Sequence, residues 1–310
     1  MRIVFIGTPH FSVPSLQKIH ESSHELVGVI TAPDRKAGRG MKLQFSPVKD
    51  FAQQNNIPIL QPTNLKEPSF QEELKAWNAD IQVVIAFRML PESVWDMPPR
   101  GTINLHASLL PDYRGAAPIN WAIINGETES GLTTFQLVHE IDKGEILMQH
   151  KMQIGEEDNA GSLHDRMMQE GADLVLETLN GLESGELTAH AQDESSARHA
   201  APKIFKDDCI IDWKKTTKEV HDLVRGLSPY PVARTFINDK DSGKDLVLKI
   251  FRSSIEIADH DVPPGVFDSE DKSSVRIACG DGWLHVHELQ LEGRRRMETE
   301  EFLRGYKFNG

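Results

Sequence analysis

The sequence predicts an α/β protein: a doubly wound, mostly parallel sheet with helices on both faces, followed by a smaller barrel of short antiparallel strands. Three observations predict it. Apolar strand runs alternate with helical patterns from Arg2 to Ala86. A polar, small-residue stretch, Leu187–Pro202 (LTAHAQDESSARHAAP), then interrupts all apolar periodicity and reads as the domain boundary. Beyond it lie short strand runs, two of them joined by Gly280-Asp281-Gly282.

Each element follows from its own pattern. Arg2–Ile6 is a β-branched and aromatic run that stops at Gly7-Thr8-Pro9, a buried strand and a tight turn. Ser12–Ile19 places Val13, Leu16 and Ile19 on one helical side. Leu26–Ile30, Ile57–Leu60 and Ile81–Ala86 are further strands, with helices at Ser46–Asn55 and Pro68–Trp77 between them. Thr102–Leu105 alternates as a strand, Pro118–Asn125 is a short helix, and Leu132–Val138 alternates again. Gly161–Leu182 is a long helix with a capping-box pattern at Ser162 and Asp165. After the boundary come a helix, Val220–Leu227, and strands at Leu246–Phe251, Val275–Cys279 and Trp283–Leu289.

Composition narrows the function classes. The 310 residues leave room for two cores, and 39% hydrophobic with 26% charged residues is ordinary for a globular chain. A net charge of −13 excludes a wholly basic nucleic-acid binder, though not a local basic surface. Cys209 and Cys279 stand alone, so neither a metal spacing nor a disulfide framework is expected, and a reducing cytoplasm is. The apolar run in MRIVFIGTP is too short for a signal peptide, and no run approaches the roughly 18 residues of a membrane span. Neither G-x-G-x-x-G nor G-x-x-x-x-G-K-[ST] occurs, so a dinucleotide or nucleoside-triphosphate site is unsupported.

Four stretches carry chemistry. Thr102–Pro118 (TINLHASLLPDYRGAAP) presents Asn104 and His106 two residues apart, on one face of a strand. Asn offers a neutral donor and His moves protons near neutrality, a pairing suited to a reacting carbonyl; a buried structural pair is the alternative. His139–Gly144 (HEIDKG) holds His139, Glu140 and Asp142, which sequence cannot rank. Phe87-Arg88-Met89-Leu90 follows the fourth strand at the sheet end where doubly wound folds bind ligands, as ordinary core or as an apolar wall for a flat heteroaromatic. Ala32–Phe45 (APDRKAGRGMKLQF) carries Arg35, Lys36, Arg39 and Lys42 against Asp34 alone, as a solvated loop or a phosphate-backbone contact.

Several of these runs together resemble the folate-dependent formyltransferases, nearly end to end. The carriers are FIGTP at Phe5–Pro9, APDRKAGRGMKL at Ala32–Leu43, SPVK at Ser46–Lys49 and NLHASLLPDYRGAAPINWAI at Asn104–Ile123. APKI at Ala201–Ile204, IDW at Ile211–Trp213, RGLSPYP at Arg225–Pro231 and EFLRG at Glu301–Gly305 continue it. The resemblance implies a Rossmann-like formyltransferase domain over 1–188, a linker over 189–205 and an OB-like β-barrel tRNA-binding domain over 206–310. It implies catalytic Asn104, His106 and Asp142, and a 10-formyltetrahydrofolate site using Ser108, Leu109, Leu110 and Pro111 with Phe87, Arg88, Met89 and Leu90. It implies transfer to the amino group of initiator methionyl-tRNA, gripped by Arg35, Lys36, Arg39 and Lys42, by a cytoplasmic monomer without a metal. One departure stands out: many members carry Met-Asp-x-Gly ahead of the aspartate, where this chain has Leu137-Val138-His139-Glu140. The rival expectation is a formyltransferase for an amino sugar nucleotide, which offers no long phosphate backbone for the basic segment to follow. A non-catalytic nucleic-acid binder and a folate hydrolase or dehydrogenase module are the more distant readings.

Overall fold

A computed structural model describes residues 1–37, 42–239, 243–269 and 274–306, without the side chains at 36, 37, 42 and 239. The chain forms two compact units: Met1–Gly115 with Gly131–Met152 and His164–Ala200, and Ala116–Ser130 with Gln153–Leu163 and Ala201–Gly310.

In chain order the elements are β1 (Arg2–Gly7), α1 (Val13–Glu21), β2 (Glu25–Ile30), β3 (Arg35–Ala37), β4 (Lys42–Gln44), α2 (Pro47–Gln54), β5 (Ile59–Leu60), α3 (Pro68–Ala76), β6 (Ile81–Ile85), α4 (Glu92–Trp95) and β7 (Thr102–His106). There follow β8 (Arg114–Gly115), α5 (Pro118–Ile124), β9 (Glu129–Gln136), β10 (Ile146–Gln153), α6 (Ala160–Ser184) and β11 (Ala200–Ala201). The chain closes with α7 (Thr217–Leu227), β12 (Ala233–Asp239), β13 (Lys244–Ile257), β14 (Phe267–Asp268), β15 (Val275–Ala278), β16 (Gly282–Leu291), β17 (Met297–Glu298) and α8 (Thr299–Leu303).

The first unit is built on a seven-stranded sheet, β10-β9-β7-β6-β1-β2-β5. β5, β2, β1, β6 and β7 run parallel, and β9 is antiparallel to β7. The chain builds β1, β2 and β5 in one direction, then returns to add β6 and β7 on the other side of β1. That reversal opens a crevice at the carboxyl ends of β1 and β6, where Gly7 is opposite Ile85. β7 extends the same edge, with Asn104 opposite Val84. Val4, Ile6, Ile30, Val84 and Leu90 pack against Leu65, Phe70 and Leu74, so the sheet face beside α3 is dry.

The second unit carries an antiparallel sheet, β12-β13-β16-β15-β14, with β17 also paired to β16, as an OB-like domain requires. The register of β13 shifts between Ile250 and Ser253, a bulge that lets one long strand bend. Val220, Val224 and Leu227 of α7 fill its core against Leu248, Ile250, Leu284 and Leu289. α5 joins this unit, its Asn120 Nδ2 donating to the Gly226 carbonyl (2.7 Å).

Local departures from the sequence reading have local causes. The expected strand 57–60 shortens to Ile59–Leu60, and at Pro58 the chain has no N–H to give. The expected loop at 32–45 contains a two-stranded ribbon, β3 against β4, with Lys36 opposite Leu43. The α6 cap sits three residues earlier than expected. Asn159 Oδ1 accepts from Ser162 N while Ser162 Oγ accepts from Asn159 N, and Asp165 instead meets His164.

Candidate active site

β7 lies between β6 and β9, which is why its side chains are mostly buried. Asn104 and His106 share a face, opposite Phe135 and Thr133 of β9. His106 is 7% exposed and stands edge-on to Phe135, ring centres 6.5 Å apart. Its Nε2 lies 2.9 Å from the Tyr113 carbonyl oxygen. A carbonyl only accepts, so this bond assigns a hydrogen to Nε2. Nδ1 is then the nitrogen turned to Asp142, 3.9 Å from Oδ2, an ion-pair separation rather than a direct hydrogen bond. The Asn104 side chain is half-buried, and no described residue hydrogen-bonds it.

Asp142 reaches this position through an uncommon backbone. Its φ is +55°, a left-handed conformation that Asp tolerates better than most residues. Oδ2 accepts from Gly115 N (2.9 Å), which aims the carboxylate at the histidine side. Two residues on, Gly144 passes so close to β9 that an added Cβ would overlap the Gln136 carbonyl oxygen. His139 and Glu140 are exposed. Of His139, Glu140 and Asp142, which the local pattern leaves unranked, Asp142 is the one that stands beside His106.

The remaining expected residues separate into packed and presented groups. Ser108 is fully buried, its Oγ donating to the Asp112 carbonyl (2.6 Å) and its own carbonyl accepting from Thr133 Oγ1 (2.6 Å). Leu110 N donates to Thr133 Oγ1 (3.1 Å), and Gln149 Nε2 donates to the Leu110 carbonyl (2.9 Å). Leu110 and Pro111 are buried and Leu109 is half-buried, so the side chains of this loop mostly fasten it to β9 and β10. In the turn after β6, Ala86 redirects the chain with φ +50°. Leu90 enters the core with Phe87 beside it, and Arg88 donates to the Pro62 and Thr63 carbonyls. Met89, 74% exposed, is the side chain this turn presents.

The basic segment is anchored at its base. Lys49, 9% exposed, places Nζ 2.5 Å from Asp34 Oδ2 and 4.3 Å from the Phe45 ring centre, so one ammonium holds both ends of the ribbon. Hydrogen bonds from Gln61 and then Lys49 hold the Asp34 carboxyl below its usual range. The segment's one acid is thus already paired from outside it. Arg35 is exposed on β3; Arg39 and the side chains of Lys36 and Lys42 lie outside the described residues.

Sequence reasoning missed Gln192 and the structural demand at Gly144. Gln192 sits in the polar stretch without any motif around it, and only its hydrogen bonds single it out.

Comparison with known proteins places the sequence in a family. Residues 1–179 fit the Formyl transferase family and residues 203–307 the Formyl transferase, C-terminal domain. A methionyl-tRNA formyltransferase of Parabacteroides distasonis is 50% identical over 312 residues, covering 99% of this chain and 96% of the relative. One of Bacteroides fragilis is 48% identical over 309 residues, covering 99% and 95%. Among solved structures, an N-formyltransferase from Helicobacter canadensis in complex with folinic acid and dTDP-3-aminofucose superimposes with a TM-score of 0.68 at 20% identity, over 95% of this chain and 99% of that one.

Proposed function

The chain belongs to the formyl transferase family and, within it, to the methionyl-tRNA formyltransferases, and from that premise we propose how its residues divide the work. The enzyme transfers a formyl group from 10-formyltetrahydrofolate to the α-amino group of initiator methionyl-tRNA. The amino-sugar alternative loses support, because the sugar-bound relative shares 20% identity where the tRNA-directed ones share 48–50%.

The donor supplies an activated formyl carbon, so the reaction is acyl transfer: the amine–carbon bond forms, the carbon–N10 bond breaks, and the amine proton passes to N10. The chain's residues suit that demand. The Asn104 amide, without a described protein partner, donates to the formyl oxygen as it gains charge. His106, buried and held at Nε2, moves protons through the nitrogen that faces Asp142 and supports the same oxygen. Asp142 orients the ring. Met89 and half-buried Phe87, backed by buried Leu90 and with Arg88 steadying their turn, form the apolar wall for the folate ring. The loop Ser108, Leu109, Leu110 and Pro111, its side chains mostly packed inward, offers the rest of the folate site chiefly through its backbone. No covalent intermediate on the protein is needed.

We assign catalysis to 1–188, the link to 189–205 and tRNA binding to 206–310, with Arg35, Lys36, Arg39 and Lys42 on tRNA phosphates. A cytoplasmic monomer is the proposed working state; among the described residues no helix is long and apolar enough to cross a membrane.

One observation carries the reading: Asp142 facing His106 Nδ1 at 3.9 Å, beside Asn104, at the carboxyl edge of a doubly wound sheet. Formylation of methionyl-tRNA tests it. Asn104→Ala, His106→Ala and Asp142→Ala should each lose about 10²–10³ in kcat while still binding folate in a titration. Turnover near wild type by His106→Ala would sink it.

A further inference from the structure

The polar stretch after α6 does more than join two domains. At His190 it pairs with the start of β10: Ile146 N donates to the His190 carbonyl (2.8 Å), and His190 N donates to the Ile146 carbonyl (3.0 Å). At Arg198 and His199 both backbone N–H groups donate to Asp112 Oδ1 (3.1 and 2.6 Å), and Tyr113 N donates to the His199 carbonyl (2.8 Å). Tyr113 is the residue whose carbonyl holds His106. Between these two fastenings sits Gln192, half-buried where all its neighbours from Ala191 to Ala200 are exposed.

Every polar position of the Gln192 amide is used. Nε2 donates to the Asp142 carbonyl and to the Gly144 carbonyl, both at 2.8 Å. Oε1 accepts from Arg114 Nε (3.1 Å) and from one terminal nitrogen of the same guanidinium. Arg114 Nε also donates to the Asp142 carbonyl (3.1 Å), and its two terminal nitrogens reach the Glu194 carboxylate (2.9 and 2.7 Å). The carbonyl of a left-handed residue and that of Gly144 are therefore clasped by one side-chain amide, itself fixed by a guanidinium anchored on the same strap. The clasp holds Asp142 at φ +55°, a conformation less common than the ordinary helical and extended ones even for Asp.

We propose that Gln192, held by Arg114 and Glu194, is a positioning residue for formyl transfer: it fixes the backbone at Asp142 and thereby the carboxylate that faces His106. The inference rests on the catalytic reading of Asp142. The hydrogen bonds of Gln192 run to Arg114 and to the carbonyls of Asp142 and Gly144, and none reaches Asn104 or His106, so its effect on the reaction passes through the turn that carries Asp142.

A double-mutant cycle in the full-length enzyme tests this, with kcat and both KM values measured in methionyl-tRNA formylation. Gln192→Ala in the wild-type background should lower kcat roughly 10–100-fold, the scale of a misplaced reacting group, with both KM values within about twofold. Gln192→Glu keeps an acceptor for Arg114 but turns oxygen toward the two carbonyls, and should lose at least as much as Gln192→Ala. In the Asp142→Ala background, Gln192→Ala should cost nothing more, because the group it places is gone. Equal losses in both backgrounds, or a loss expressed in KM, would overturn the positioning role and leave the Asp142 assignment standing. Near-wild-type turnover by Asp142→Ala would overturn the catalytic reading, and this inference with it. Should Gln192→Ala fail to fold, the same cycle is run with Gln192→Glu, whose volume matches the native side chain.

Discussion

Two histidines in different units begin with the same bond and end in different surroundings. His106 and His260 each place Nε2 2.9 Å from a backbone carbonyl oxygen, of Tyr113 and of Gly282. The second nitrogen separates them. His106 Nδ1 faces a carboxylate held by a backbone N–H, whereas His260 Nδ1 is buried without a hydrogen-bond partner and its ring lies tilted on Trp283, centres 4.7 Å apart. A proton handler needs a charged partner and a reacting atom within reach. A packing ring needs an aromatic neighbour and one satisfied nitrogen.

That contrast is sharpest under substitution. The largest effect should be the kcat loss of about 10²–10³ for His106→Ala, set against unchanged kcat for His260→Leu in the same assay. A comparable fall in kcat for the His260 variant would erase the distinction. Next comes Gly144→Ala. The added methyl meets backbone rather than a movable side chain, so the turn carrying Asp142 must shift. A kcat loss of about tenfold or more is expected, with KM for tRNA nearly constant. Wild-type kcat would mean that the turn relaxes without moving the carboxylate.

Smaller and different in kind are the effects expected at the basic ribbon. Neutral replacements of Arg39 and Lys42 should leave kcat alone, raise KM for tRNA, and reduce the salt slope of tRNA affinity by about one unit for each phosphate no longer neutralised. An unchanged slope would remove the ribbon from the interface. Acid should act on the strap through Asp112. Burial raises its carboxyl, but hydrogen bonds from His199 and Arg198 outweigh that and hold it below its ordinary value. Its contribution is present above the unfolded carboxylate pKa near 3.9 and is lost as pH falls through the lower folded value. In urea titrations, the stability gap between wild type and Asp112→Asn should narrow below about pH 4. The smallest effect is the stability cost of His260→Leu, about 1 kcal/mol for the ring contact and one hydrogen bond.

Legibility in the sequence tracked distance along the chain. Asn104 and His106 were readable because a period of two puts them on one face, and the parallel order was readable from alternating runs. The ribbon at β3–β4 was not, because its polar residues carry no apolar alternation; nor was the cap at Asn159, since Ser162 offers the same pattern from either side. Asp142 shared its turn with His139, Glu140 and Lys143; local pattern could not order them, and in the sequence only the family resemblance singled out Asp142.

Local pattern and chain order by themselves determined the doubly wound sheet, its crevice edge, the antiparallel second domain and the strand-end pair, since each depends on residues a few positions apart. Tertiary structure alone decided that Gly144 admits no side chain and that Gln192 clasps the Asp142–Gly144 turn from 50 residues away. Those outcomes depend on hydrogen-bond directions and sub-ångström clearances between segments distant in sequence. Such quantities exist only once the backbone has closed on itself.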